Sequence, residues 1–77
     1  MLYGQVSIDP EIMSGAPVFA GTRVPIQNLF DYLESGEDLS EFLDDFPSVS
    51  KDAVLAVLKM AKKSLTTEKV LIKYFAG

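Results

Sequence analysis

The residues able to do chemistry in this 77-residue chain are carboxylates and lysines, and they are segregated. Nine of the eleven acids lie in residues 1–50, where Arg23 is the only cation, for a net charge of −8. Residues 51–77 carry six lysines against Asp52 and Glu68, for +4. An acidic front and a basic rear offer surfaces to different partners, or simply the mixed faces of a soluble protein. The chain has no Cys and no His, which excludes a disulfide framework, a thiol nucleophile, a zinc finger and imidazole acid–base chemistry. Glu37, Asp38, Glu41, Asp44 and Asp45 form the densest acidic run. Such a run could hold a divalent cation or imitate nucleic-acid phosphates. Oxygen-ligand metal loops set carboxylates in a tight turn around a glycine, and that spacing is absent, so the run reads first as the solvated face and cap of a helix. No Ser, Thr or Lys has the context of a nucleophile beside a base. The sequence therefore predicts no enzyme, no catalytic residue, no metal and no cofactor.

Lys51, Lys59, Lys62 and Lys63 are the candidate DNA-binding residues. In a helix Lys51, Leu55, Lys59 and Lys62 lie together beside the apolar stripe, with Lys63 further round. Lysines can neutralise phosphates and make affinity salt-dependent. Base readout prefers Arg, Asn or Gln, and this helix has none, so a plain solvated face is the competing reading. Arg23 is the only guanidinium. It either binds an anion or a partner's carboxylate, or fixes the Gly-Thr-Arg turn by holding backbone carbonyls.

The elements that must position these residues follow from periodicity. Residues 5–8 alternate polar and apolar and read as a short strand, stopped by Asp9-Pro10; Val18-Phe19 is a second, edge-like strand beside Pro17. The stretch 15–36 hands strand over to helix. Ile26, Leu29, Phe30 and Leu33 make the stripe of a first helix over about residues 25–35, with Pro25 at its first position and Gly36 just past its end. Leu39, Phe42, Leu43 and Phe46 make the second stripe, with Asp38 as N-cap, Glu41 completing a capping box, and Pro47 as the stop. Ser50 caps a third helix whose core face is Val54, Val57, Leu58, Ala61 and Leu65. The predicted fold is mainly α: a short N-terminal β-hairpin-like unit, a tri-helical helix-turn-helix, and a C-terminal tail. Residues 1–65 form the domain and residues 66–77 a partner-binding tail.

A chain of this length buries only about 60–65% of its unfolded surface, so its core is marginal. Yet 48% of its residues are hydrophobic and nothing staples the fold, which predicts a homodimer or a complex with a partner, the N-terminal ribbon being one candidate contact. No targeting signal or membrane span is legible: the longest apolar run is residues 53–58, against about 18 needed to span. A cytoplasmic location is expected. Val70, Leu71, Ile72, Tyr74 and Phe75 are too apolar for a free tail. They predict a docking segment for a partner, or one that folds back on the third helix or pairs with a second copy.

These residues resemble a known family. The run Ile8-Asp9-Pro10-Glu11-Ile12, Gly15-Ala16-Pro17-Val18, Gly21-Thr22-Arg23-Val24-Pro25 is similar to the opening signature of the family catalogued as domain of unknown function 433. The likeness continues through residues 33–36, Leu39-Ser40-Glu41-Phe42-Leu43, Phe46-Pro47 and Ser50-Lys51-Asp52-Ala53-Val54, covering about residues 5–62. Members look like VapB-type antitoxins with a homeodomain-like helix-turn-helix, commonly encoded beside a toxin with a PIN-like ribonuclease domain that cuts RNA with metal-bound carboxylates. The resemblance implies an antitoxin of a type II toxin–antitoxin pair that neutralises such a ribonuclease, as a dimer or a toxin–antitoxin hetero-oligomer, and that represses its own operon by binding operator DNA. It does not specify the toxin-binding residues; composition nominates Val70, Leu71, Ile72, Tyr74 and Phe75. The alternatives are a stand-alone DNA-binding transcriptional regulator and a structural homo-oligomeric adaptor.

Overall fold

Two tight turns build a small sheet, and the second launches the helices. The computed structural model describes residues 2–66. Strands β1 (Leu2–Tyr3), β2 (Val6–Ser7) and β3 (Val18–Phe19) form one antiparallel sheet in the order β1-β2-β3. Leu2 pairs with Ser7 and Tyr3 with Val6; Val6 pairs with Phe19 and Ser7 with Val18. The β2–β3 pairing is the expected hairpin-like unit, and β1 adds a strand that the sequence reading did not contain. The two-residue loop Gly4-Gln5 joins β1 to β2, and Gly4 supplies the positive φ (61°) such a hairpin turn requires. Between β2 and β3 the Asp9 carboxylate accepts the Glu11 N–H at 2.9 Å, starting an irregular loop that ends in a single 3-10 turn at Met13–Gly15.

Thr22 holds the second turn. Its hydroxyl donates to the Phe19 carbonyl at 2.8 Å and accepts the Val24 N–H at 3.0 Å, while its own N–H reaches the same carbonyl at 3.0 Å. The chain is thereby folded back so that Val18 bridges Pro25 and the Ile26 N–H donates to the Pro17 carbonyl at 2.9 Å. Helix α1 (Ile26–Glu34) begins one residue later than expected, because Pro25 is extended at ψ 140° to make that bridge and serves as N-cap. The helix closes as foreseen around Gly36 (φ 79°). Glu37 N–H reaches Tyr32 O at 3.0 Å and Gly36 N–H reaches Leu33 O at 3.1 Å, the paired bonds of a Schellman ending.

Helix α2 (Leu39–Asp45) has Asp38 at its N-cap, but the expected capping box does not form. The Asp38 side chain makes no cap hydrogen bond; its backbone carbonyl accepts Glu41 N–H at 3.1 Å and Phe42 N–H at 3.3 Å instead. The helix stops before Pro47 as predicted. Helix α3 (Lys51–Thr66) is capped by Ser50, whose hydroxyl accepts the Ala53 N–H at 3.1 Å.

The core comprises Phe19 from β3, Leu29 from α1, Phe42 from α2, Val49 from the α2–α3 turn, and Ala53, Val54 and Val57 from α3. Phe42 is its centre, with ring centroids of Phe19, Tyr32 and Phe46 at 5.9, 5.3 and 5.0 Å, tilted or edge-on to it. Among the described residues no polar or charged side chain is buried. Leu65, expected on the core face, is 62% exposed: α3 runs on past the elements that cover its first half. Among the described residues no helix is long and apolar enough to cross a membrane.

Candidate functional site

Successive residues of α3 advance by about 100°, and the core takes the sector holding Val54, Val57 and, half-buried, Leu58 and Ala61. The sector flanking it presents Lys51, Leu55, Lys59 and Lys62, with Lys63 further round, all exposed. These are the four lysines that the sequence nominated, and the helix does bring them to one side of the molecule. Among the described residues none is engaged in an ion pair. Their charge faces solvent.

Beside this face lies an open groove of about 420 Å³, formed where the β1–β2 turn approaches α3. Gly4, Gln5, Ala56, Lys59, Met60 and Lys63 line it. Ala56 and Met60 make an apolar floor, and Lys59 and Lys63 stand on its rim. The approach is close: a Cβ placed on Gly4 would lie 3.9 Å from the Met60 sulfur. A smaller depression, of about 300 Å³, is bounded by Lys59, Lys62, Lys63 and Thr66. The hydroxyl of Thr66 is turned back to the Lys62 carbonyl at 2.7 Å.

The acidic run occupies the α1–α2 turn and the outer side of α2, with Glu37, Asp38, Glu41, Asp44 and Asp45 all exposed. Among the described residues no three carboxylates are grouped to hold a metal ion. The run has one specific contact, a hydrogen bond from the Tyr32 hydroxyl to the Asp45 carboxylate at 2.5 Å. That bond, then partial desolvation, then the charges of Asp45, Glu37 and Glu41 push the Tyr32 pKa up to about 12. Raised in the folded state, it favours folding fully below the ordinary tyrosine pKa of about 10, and the contribution is lost as pH climbs from there to 12. Phenolate absorbance should show a tyrosine ionising well above the ordinary tyrosine pKa of about 10. Tyr32→Phe should abolish that late phase, and Asp45→Asn should bring it down toward 10. A late phase unchanged in Asp45→Asn would show that the hydrogen bond is not its cause.

Arg23 is exposed in the second turn, whose hydrogen bonds are made by Thr22 and the backbone. Among the described residues its guanidinium has no hydrogen-bond or ion-pair partner. Val70, Leu71, Ile72, Tyr74 and Phe75 lie outside the described residues; of the tail expected over residues 66–77, only Thr66 is described, as the last residue of α3.

A family model described as Protein of unknown function (DUF433) matches residues 6–61. The chain belongs to this family. The DUF433 match begins at β2, after the Gly4-Gln5 turn, includes the Thr22 turn and all of α1 and α2, and ends within α3, so it holds the acidic run, Arg23, Lys51 and Lys59. Lys62, Lys63 and the apolar segment 70–75 lie beyond it. No curated protein and no solved structure matches the chain.

Two features of the surface were not read from the sequence. The Tyr32–Asp45 bond joins positions 13 apart, which no local pattern reports. The groove needs the Gly4-Gln5 turn against α3, and the residue types around Gly4 were its only available signal.

Proposed function

We propose that this chain is the antitoxin of a type II toxin–antitoxin pair: a non-enzymatic protein that binds and neutralises a PIN-like ribonuclease in the cytoplasm. The observation that carries the reading is the composition of the end of the chain. Five large apolar residues fall within positions 70–75, in a region, 51–77, of net charge +4. An apolar segment with lysines around it complements a nuclease whose active site is lined by carboxylates, because burial supplies affinity while opposite charge supplies orientation. Among the described residues the domain before it has an apolar core built from Phe19 to Val57. Co-expression with the ribonuclease encoded beside this gene tests the reading. Growth should be restored by the full chain; continued toxicity at matched protein levels would contradict it.

The lysine face of α3 favours a second activity, binding of operator DNA by the antitoxin or by its toxin complex. Lys51, Lys59, Lys62 and Lys63 are exposed together, as phosphate contacts require. Lys59→Ala with Lys62→Ala should weaken binding to every duplex alike and lower the salt slope of log K by about 2. Unchanged affinity for the gene's own promoter would remove this activity from the account. A stand-alone regulator would retard that promoter fully without toxin, whereas a structural adaptor would neither retard it nor restore growth.

A further inference from the structure

We infer that the groove between the β1–β2 turn and α3 receives the α1–α2 turn of a second copy of this chain. The groove is apolar below, at Ala56 and Met60, and cationic above, at Lys59 and Lys63. Met60, which lines it, is 42% exposed and leaves apolar surface open beside the two lysines. Its complement is present on the same chain. Leu33, in the last turn of α1, is 40% exposed, and Asp31, Glu34 and Glu37 flank it in sequence, all of them exposed. Leu33 has the size to meet the Met60–Ala56 floor while Glu34 and Glu37 meet Lys59 and Lys63.

Charge selects this occupant over the chain's own end. Residues 67–77 carry Lys69 and Lys73 against Glu68, so their net charge has the sign of the groove's rim. Residues 31–45 carry seven acids and no cation. The α1–α2 turn is also stiff enough to dock, fixed by the paired backbone bonds at Gly36 and Glu37. The groove of one copy takes the turn of the next, either closing reciprocally as an isologous pair or continuing head to tail through heterologous contacts. This contact is distinct from the ribonuclease interface proposed above and does not depend on it.

A charge swap in the whole chain, read by sedimentation, tests this contact. Wild type should self-associate at low salt, with the apparent dissociation constant rising on the order of tenfold at high salt as the pairs are screened. Lys59→Glu with Lys63→Glu should be monomeric, as should Glu34→Lys with Glu37→Lys, each with an unchanged far-UV dichroism spectrum. Mixed in equal amounts, the two variants should associate again, since each now offers the charge the other needs. A wild type that stays monomeric at low salt and high concentration would overturn the proposal. So would self-association that survives either reversal, or a mixture that fails to associate while both variants remain folded. Weakened binding of the ribonuclease by the lysine variant of a monomeric wild type would assign the groove to that partner instead.

Discussion

Phe42→Ala should leave this protein unfolded at room temperature. Phe42 is fully buried, and three further aromatic rings, those of Phe19, Tyr32 and Phe46, stand within 5.9 Å of it, centroid to centroid. Replacing a phenylalanine at such a position costs about 3–5 kcal/mol, because the lost transfer energy is joined by a cavity the neighbours cannot fill. A single core in a domain of this size rarely supplies more than about 3–5 kcal/mol in total. The variant therefore spends the whole margin. Leu65→Ala, at a 62% exposed site on α3, should change stability by no more than about 0.5 kcal/mol. Far-UV dichroism against temperature and urea compares the two. A cooperative transition in Phe42→Ala, with a midpoint close to that of the wild type, would show that the aromatic cluster is not the centre of the fold.

Truncation after Thr67 should separate folding from neutralisation. Among the described residues the eight buried core residues all lie between Val18 and Val57, so the shortened chain keeps every one of them. It loses Val70, Leu71, Ile72, Tyr74 and Phe75, each able to contribute about 1.5–3 kcal/mol when fully buried against a partner. Even two anchors of about 2 kcal/mol would cost on the order of a thousandfold in affinity for the ribonuclease. Dichroism and calorimetric titration read the two properties independently. If the truncated chain binds and silences the ribonuclease at full strength, the segment is not the neutralising element. If it unfolds or loses self-association instead, the segment belongs to the fold.

What the sequence made legible is what periodicity and local chemistry encode. The stripes of α1 and α2 put Leu29 and Phe42 at full burial, and Ser50 caps α3, because these follow from spacing within one helix. That β2 pairs with β3 followed from an alternating stretch and a short apolar run separated by turn residues, whereas the register of Val6 against Phe19 has no local signal. Strand β1 did not, since Leu2–Tyr3 is too short to show alternation. Pro25 was read one position late in its role because its extended conformation is set by the bridge to Val18, a contact across the turn. Val49 is buried without belonging to any stripe, fixed by the turn between Pro47 and Ser50. Leu65 shows the converse: it keeps the helical spacing of the core face and yet is exposed. For the surface, the lysine face was legible because it lies within one helix. The groove and the Tyr32–Asp45 bond were not, because each is made by elements that only the fold brings together.

The central claim, that this chain neutralises a ribonuclease by binding it, is tested most directly by titrating the purified protein into the ribonuclease that the account predicts beside its gene while following RNA cleavage. The account predicts that cleavage falls linearly and stops at a fixed molar ratio, with the same ratio marking the end of binding heat. Undiminished cleavage at a large excess of folded chain would contradict it.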